Sequence, residues 1–226
     1  MRMANRRVPR VSDSAILRGL YAVTPDDPLL PRLSALVGMA LAGGARLVQF
    51  RNKTAPRALK RALAAEMLRI CHAAGAKLIV NDDLVLALDI GADGVHLGRE
   101  DGDFSEARRL LGDARILGVS CYDSLEMAET AANCGADYLA FGSVFDSRTK
   151  PAAVRAPLEL LAAAKRRFGL PVAAIGGITL TNAGAALAAG ADMLAVVSDL
   201  FDAMNIKDRA SAYQQLFVDV PSEATP

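Results

Sequence analysis

A chain of 226 residues, 52% of them hydrophobic, carries enough apolar material for one sizeable core and does not require a second domain. Its 26 Lys+Arg against 25 Asp+Glu leave a net charge of +1, so no global field draws it to nucleic acid or a membrane surface, and any anion must be held by a local cluster. The three cysteines, Cys71, Cys121 and Cys134, are odd in number and form no C-x-x-C pair, which gives no sign of a disulfide framework or zinc site and fits a reducing cytoplasm.

Residues 1–18 open with MRMANRRVPR, four arginines without an acid, and no apolar stretch follows to make a secretory signal, so they read as a flexible basic leader. The body, 19–217, is built on one recurrent phrase: GGARLVQF from Gly43, GAKLIVN from Gly75, GADGVHL from Gly91, GADYLAF from Gly135 and GADMLAVV from Gly190. Glycine suits the left-handed position past a helix end, and the short apolar run after it suits a strand. Alanine-rich segments of helical spacing precede these glycines, as in RALKRALAAEMLRICHAA and SLEMAETAANC.

Strands are therefore expected near 19–24, 46–50, 77–81, 94–97, 115–120, 137–141, 171–175 and 193–197, each followed by a helical segment. Eight mostly apolar strands alternating with helices predict an α/β fold, a single-domain (β/α)8 TIM barrel. An open doubly wound sheet is the alternative, but no G-x-G-x-x-G turn follows an early strand. The uncharged stretch 168–191 holds Pro171, Gly176, Gly177, Asn182 and Gly184, and reads as strand, turn and helix rather than a membrane span. The polar tail, 218–226, is expected to be disordered.

In such a barrel the carboxyl ends of the strands meet at one mouth. Strand two ends in LVQFRNK, where extended geometry puts Leu47, Gln49, Arg51 and Lys53 on one face and Val48 and Phe50 on the other. Strand three delivers Asn81, Asp82 and Asp83, strand four runs into HLGRED, strand five adds Ser120, and strand six leads to GSVFDSRTK. The last two open onto Gly176-Gly177-Ile178 and Val196-Val197-Ser198. Cations (Arg51, Lys53, Lys150), carboxylates (Asp82, Asp101), hydroxyls (Ser120, Ser147, Thr149, Ser198) and bare glycine backbone together suit a diphosphate with a hard divalent cation and a second phosphate. Ordinary roles compete: Asp83 as a helix cap, Asp101 as a turn residue in EDGD, SRTK as a solvated loop, His96 as a satisfied partner at the rim, His72 on an outward helix face. Cys121 lacks an evident base to make it a nucleophile.

From about Gly19 to about Phe201 the chain resembles the thiamine phosphate synthase family, through GLYAVT, QFRNK as its Q-x-R-x-K pattern, IVNDD, GVHLGRED, GVS, GADYLAFG, SRTK, AIGGI and VVS in that family's order. The resemblance implies a (β/α)8 transferase that couples 4-amino-2-methyl-5-hydroxymethylpyrimidine diphosphate to 4-methyl-5-(2-phosphonooxyethyl)thiazole and releases pyrophosphate. It assigns Gln49, Arg51, Lys53, Asn81, Ser120 and Lys150 to the pyrimidine diphosphate, Asp82 and Asp101 to Mg²⁺, and Ser147, Thr149, Gly177, Val197 and Ser198 to the thiazole phosphate. Arg51, Lys53, Ser120 and Lys150 would carry catalysis. Partners would be phosphorylated small molecules, with no nucleic acid or membrane; a homo-oligomer is left open. The sequence departs from the family's commoner pattern at Arg99 (glutamine), Tyr122 (histidine), Ser143 and Asp146 (proline) and Ser147 (threonine). The rivals are a thiazole tautomerase-like barrel, a thiazole phosphate sensor without turnover, and an aldolase or indole-forming synthase that uses a strand-end Lys or Glu.

Overall fold

The computed structural model describes residues 14–146 and 155–218. The apolar runs after the recurrent glycines form parallel strands that close into a barrel in chain order: β1 Gly19–Val23, β2 Leu47–Phe50, β3 Lys77–Asn81, β4 Gly94–Leu97, β5 Ile116–Tyr122, β6 Tyr138–Phe141, β7 Val172–Ile175 and β8 Met193–Val196. Around them lie α1 Leu30–Ala42, α2 Arg57–Ala73, α3 Leu84–Ile90, α4 Phe104–Leu111, α5 Leu125–Asn133, α6 Glu159–Phe168, α7 Ala183–Ala188, α8 Ser198–Phe201 and α9 Ile206–Val218. Gly91 ends α3 at φ 70°, a left-handed turn that a side chain would oppose, and Gly75, Gly135 and Gly190 repeat it. Ahead of β1, Ser14–Leu17 forms a 3-10 helix, and Leu17 packs with the barrel's inner residues.

Strand alternation splits the core in two. Val48, Phe50, Leu78, Val80, Val119 and Leu139 face the helices, while Tyr21, Leu47, Ile79, Ile116, Tyr138, Ala173 and Met193 fill the barrel's interior. Strand β5 runs two residues past its expected end because its pairing with β6 shifts register between Ser120 and Tyr122, an irregularity that re-aims the side chains beside the mouth. Among the described residues, no helix is long and apolar enough to cross a membrane.

The aspartates of the Gly-Ala-Asp phrases share one task at the barrel's amino-terminal end. Asp93 accepts the Leu78 N–H at 2.9 Å, Asp137 the Leu117 N–H at 2.7 Å and Asp192 the Val172 N–H at 3.0 Å, so the residue before each of β4, β6 and β8 caps the strand preceding its own. Arg46 stands at the matching place before β2, and there the Leu20 N–H of β1 is taken instead by Gln214 Oε1 of α9 at 3.0 Å. Each aspartate also has a cation, Lys77 on Asp93, Arg108 on Asp137 and Lys165 on Asp192, and Asp93 meets the His72 ring as well. Burial raises the Asp93 pKa, but the Leu78 N–H, Lys77 and His72 outweigh it and hold the carboxyl below its usual value. A depressed carboxylate stabilises the fold fully above the unfolded pKa of about 3.9 and loses that contribution as pH falls through the folded value. Denaturant titrations between pH 5 and 2 should therefore show Asp93→Asn less stable than wild type at pH 5, with the gap narrowing as the solution is acidified.

Candidate active site

The residues expected at the mouth fall into three groups, the first gathered by the loops after β2, β3 and β4. Strand β2 stops at Phe50, so Arg51 and Lys53 are not aimed by strand alternation. Thr24 Oγ1 instead accepts the Arg51 N–H at 2.9 Å and donates to the Arg51 carbonyl at 3.2 Å, while Asp26 accepts the Lys53 N–H at 3.0 Å. Lys53 Nζ then lies 3.8 Å from Asp82 Oδ2. The NDD triplet divides its labour. Asp83 caps α3 by accepting the Leu86 N–H at 2.8 Å, whereas Asp82 takes a left-handed φ of 63°, uncommon outside glycine though aspartate adopts it more readily than most, with its N–H on the His96 carbonyl. Asn81 is half-buried beside His96 in register. Asp101 does its turn work too, accepting the Gly98 N–H at 2.7 Å, yet still reaches Asp82.

Burial and the facing Asp101 carboxyl push the Asp82 pKa up, with Lys53 and Arg51 opposing. A half-buried carboxyl raised by a carboxyl neighbour is an arrangement a divalent cation relieves, and the all-oxygen chemistry of the pair suits Mg²⁺. Among the described residues no cluster of three or more His, Cys, Asp or Glu could hold a metal, so such an ion would need oxygens from a ligand or water, as Mg²⁺ commonly does.

The second group lies inside the barrel. Gln49 Nε2 donates to Tyr21 Oη at 2.8 Å, Tyr21 Oη meets Tyr138 Oη at 2.8 Å, Tyr138 Oη meets His96 Nδ1 at 2.9 Å, and His96 Nε2 meets Ser120 Oγ at 2.8 Å. Gly118 makes room for this chain, since a Cβ there would collide with the Tyr138 ring. Burial lowers the His96 pKa to about 4, only partly offset by Asp101, so the ring is neutral near pH 7. His96 is thus the satisfied partner expected of it. Cys121, buried among the outer core with its thiol pushed up to about 12, is no nucleophile.

The third group comprises the turn after β7 and the start of α8. Gly176 and Gly177 have φ of 99° and 62°, with Val197 half-buried and Ser198 exposed at the mouth beyond β8. Sequence reasoning reads the glycine pair as a phosphate cradle, but the space a side chain would need is already taken by protein. A Cβ on Gly176 would strike Ser143, and one on Gly177 the Asp146 carbonyl, because the loop after β6 is clamped there by Val144 N–H on the Ile175 carbonyl and Phe145 N–H on the Gly176 carbonyl. Gly177→Ala should displace this loop and destabilise the protein by about 1–3 kcal/mol, the usual cost of strain of this order, measurable by denaturant titration. Ser147, Thr149 and Lys150 lie outside the described residues.

Two departures from the commoner pattern touch each other: the Arg99 guanidinium sits over the Tyr122 ring, 5.4 Å from its centre. Ser143 turns its hydroxyl onto the Phe145 carbonyl at 2.7 Å, and the exposed Asp146 carboxylate pairs with Arg155 at 3.4 Å.

The family model described as "Thiamine monophosphate synthase" matches residues 20–200. A thiamine-phosphate synthase of Aromatoleum aromaticum is 55% identical over 201 residues, 89% of this chain and 97% of the relative; one of Thiobacillus denitrificans is 52% identical over 205 residues, 91% and 97%. The structure of thiamine phosphate pyrophosphorylase from Pyrococcus furiosus superposes with a TM-score of 0.80 at 34% identity, covering 90% of this chain and 96% of that one.

Proposed function

The chain belongs to the thiamine monophosphate synthase family and is a transferase, and from that premise we propose that it couples 4-amino-2-methyl-5-hydroxymethylpyrimidine diphosphate with 4-methyl-5-(2-phosphonooxyethyl)thiazole to give thiamine phosphate and pyrophosphate. The observation that carries this reading is the facing pair Asp82 and Asp101 with Lys53 and Arg51 acting on it at one side of the mouth.

Asp82 and Asp101 would hold Mg²⁺, which supplies positive charge to the oxygens of the departing diphosphate. Arg51 and Lys53 add two further cations to the same side, and Ser120, reached through His96, offers a hydroxyl to the leaving oxygen. Gln49 at the barrel interior fits the edge of the pyrimidine, with Asn81 beside it. The C–O bond to the diphosphate breaks as the aminopyrimidine delocalises the positive methylene, and the thiazole nitrogen donates its electron pair to that carbon. Gly177, Val197 and Ser198, with Ser147 and Thr149, hold the thiazole phosphate so that attack occurs at close range. Lys150 completes the charge around the diphosphate. No side chain need act as a nucleophile, in keeping with the inert Cys121 thiol. The reaction belongs in the cytoplasm, where the unpaired Cys71, Cys121 and Cys134 stay reduced.

Pyrophosphate release tests this reading. It should require both substrates and stop with EDTA. Binding of the thiazole phosphate without pyrophosphate release would favour a tautomerase-like or sensing barrel instead.

A further inference from the structure

The side chains from Gln49 to Ser120 inside the barrel are linked end to end, and their donors can be counted. Gln49 presents Nε2, which can only donate, to Tyr21 Oη. Tyr21 Oη, which accepts from Gln49, has its own proton to give to Tyr138 Oη, and Tyr138 has one to give to His96 Nδ1, although the geometry of both bonds admits either donor. In that order Nδ1 accepts, and the ring's proton lies on Nε2 and is donated to Ser120 Oγ. Ser120 already accepts, so its own proton is free to point away. The rings hold the oxygens in place: Tyr21 meets Tyr138 edge-on with centroids 5.8 Å apart, and His96 stacks on Tyr138 at 5.6 Å.

We propose that this hydrogen-bond chain runs one way, and that Tyr21, Tyr138 and His96 are positioning residues that turn the Ser120 proton outward while leaving the Gln49 amide oxygen as the group offered to the substrate. The identity of the ligands rests on the coupling reading above; the direction rests on the Gln49 donor and on giving every hydroxyl proton in the chain an acceptor. The two ends match the two ends of a pyrimidine diphosphate. A diphosphate oxygen only accepts, and Ser120 donates; the pyrimidine's amino group donates, and Gln49 Oε1 accepts. In the reverse order Ser120 commits its hydroxyl to His96 and Tyr21 Oη accepts from both Gln49 and Tyr138, which leaves the Tyr21 proton without an acceptor in the chain and sets acceptor against acceptor at the diphosphate end.

The direction is readable without catalysis, by NMR of ¹⁵N-histidine-labelled wild-type protein free of ligand. His72 is the only other histidine and is assigned by its loss in His72→Gln. The expected result is a single His96 tautomer with its proton on Nε2. A proton on Nδ1 overturns the proposal whether or not the protein couples the substrates, while a coupling-inactive wild type with the Nε2 tautomer overturns only the functional reading. In the active enzyme, Tyr138→Phe should lower kcat about tenfold or more with the KM for the thiazole phosphate unchanged. His96→Gln, which keeps an acceptor and a donor on one side chain, should retain more activity than His96→Leu. Unchanged kcat in Tyr138→Phe, or equal losses in the two His96 variants, would contradict the proposal.

Discussion

Asp101→Ala and Arg51→Ala should each lower turnover by about two orders of magnitude or more, since groups that stabilise developing charge in an enclosed site are typically worth about 3–4 kcal/mol. The two losses differ in kind. Removing Asp101 takes away half of the carboxylate pair and the acceptor of the Gly98 N–H, and relieves Asp82 of the facing charge, so the Asp82 pKa should fall. In that variant the Mg²⁺ concentration for half-maximal rate should rise well beyond that of wild type. Arg51→Ala leaves the carboxylate pair in place, so its loss should persist at saturating Mg²⁺. Its backbone, fixed by Thr24 on both sides, gives no reason for the loop to collapse. Steady-state rates over a Mg²⁺ series separate the cases; wild-type turnover in both variants would remove the charge-stabilising assignment.

At the opposite end of the barrel, Arg108→Met should cost about 3–5 kcal/mol of stability, the usual consequence of leaving one member of a buried ion pair behind. Arg108 and Asp137 are 8% and 7% exposed, and the guanidinium also donates to the carbonyls of Gly135, Gly112 and Arg115. The substitution strands these carbonyls together with the aspartate that caps β5. For a chain of this size the melting temperature should drop by roughly 6–20 °C, which calorimetry would record. Because the pair is far from the mouth, kcat measured well below the transition should be unaffected. A loss under 1 kcal/mol would show that Asp137 and the carbonyls left by Arg108 are satisfied as well without it.

The two ends of the barrel were unequally legible. Strand positions followed from local signals, a glycine stop and a short apolar run, and these survive because a parallel strand covered on both faces must be apolar throughout. Arg51, Lys53, Asp82 and Asp101 were legible as types that share a chemistry, and the barrel rule supplied their meeting place. The reason for their aim was not: Arg51 and Lys53 lie past the end of β2 and are set by Thr24 and Asp26, nearly thirty residues earlier in the chain. Tyr21 and Tyr138 drew no assignment of their own, because a tyrosine in an apolar run shows its ring in the sequence and hides its hydroxyl. Their bond joins positions 117 residues apart. The aspartates of the Gly-Ala-Asp phrases were visible as a repeat, but their function as caps depends on the neighbouring strand's bare N–H, which no window around them contains. Gly176 and Gly177 were singled out for close backbone approach to a phosphate, and the structure packs the loop at 143–146 against them, a long-range contact that no local window contains.

The most direct measurement is of product: purified protein, both phosphorylated substrates and Mg²⁺, with thiamine phosphate oxidised to its fluorescent thiochrome and a parallel sample in EDTA. The account predicts metal-dependent fluorescence that requires both substrates. A folded protein that yields none with Mg²⁺ present, or the same amount in EDTA, would contradict it.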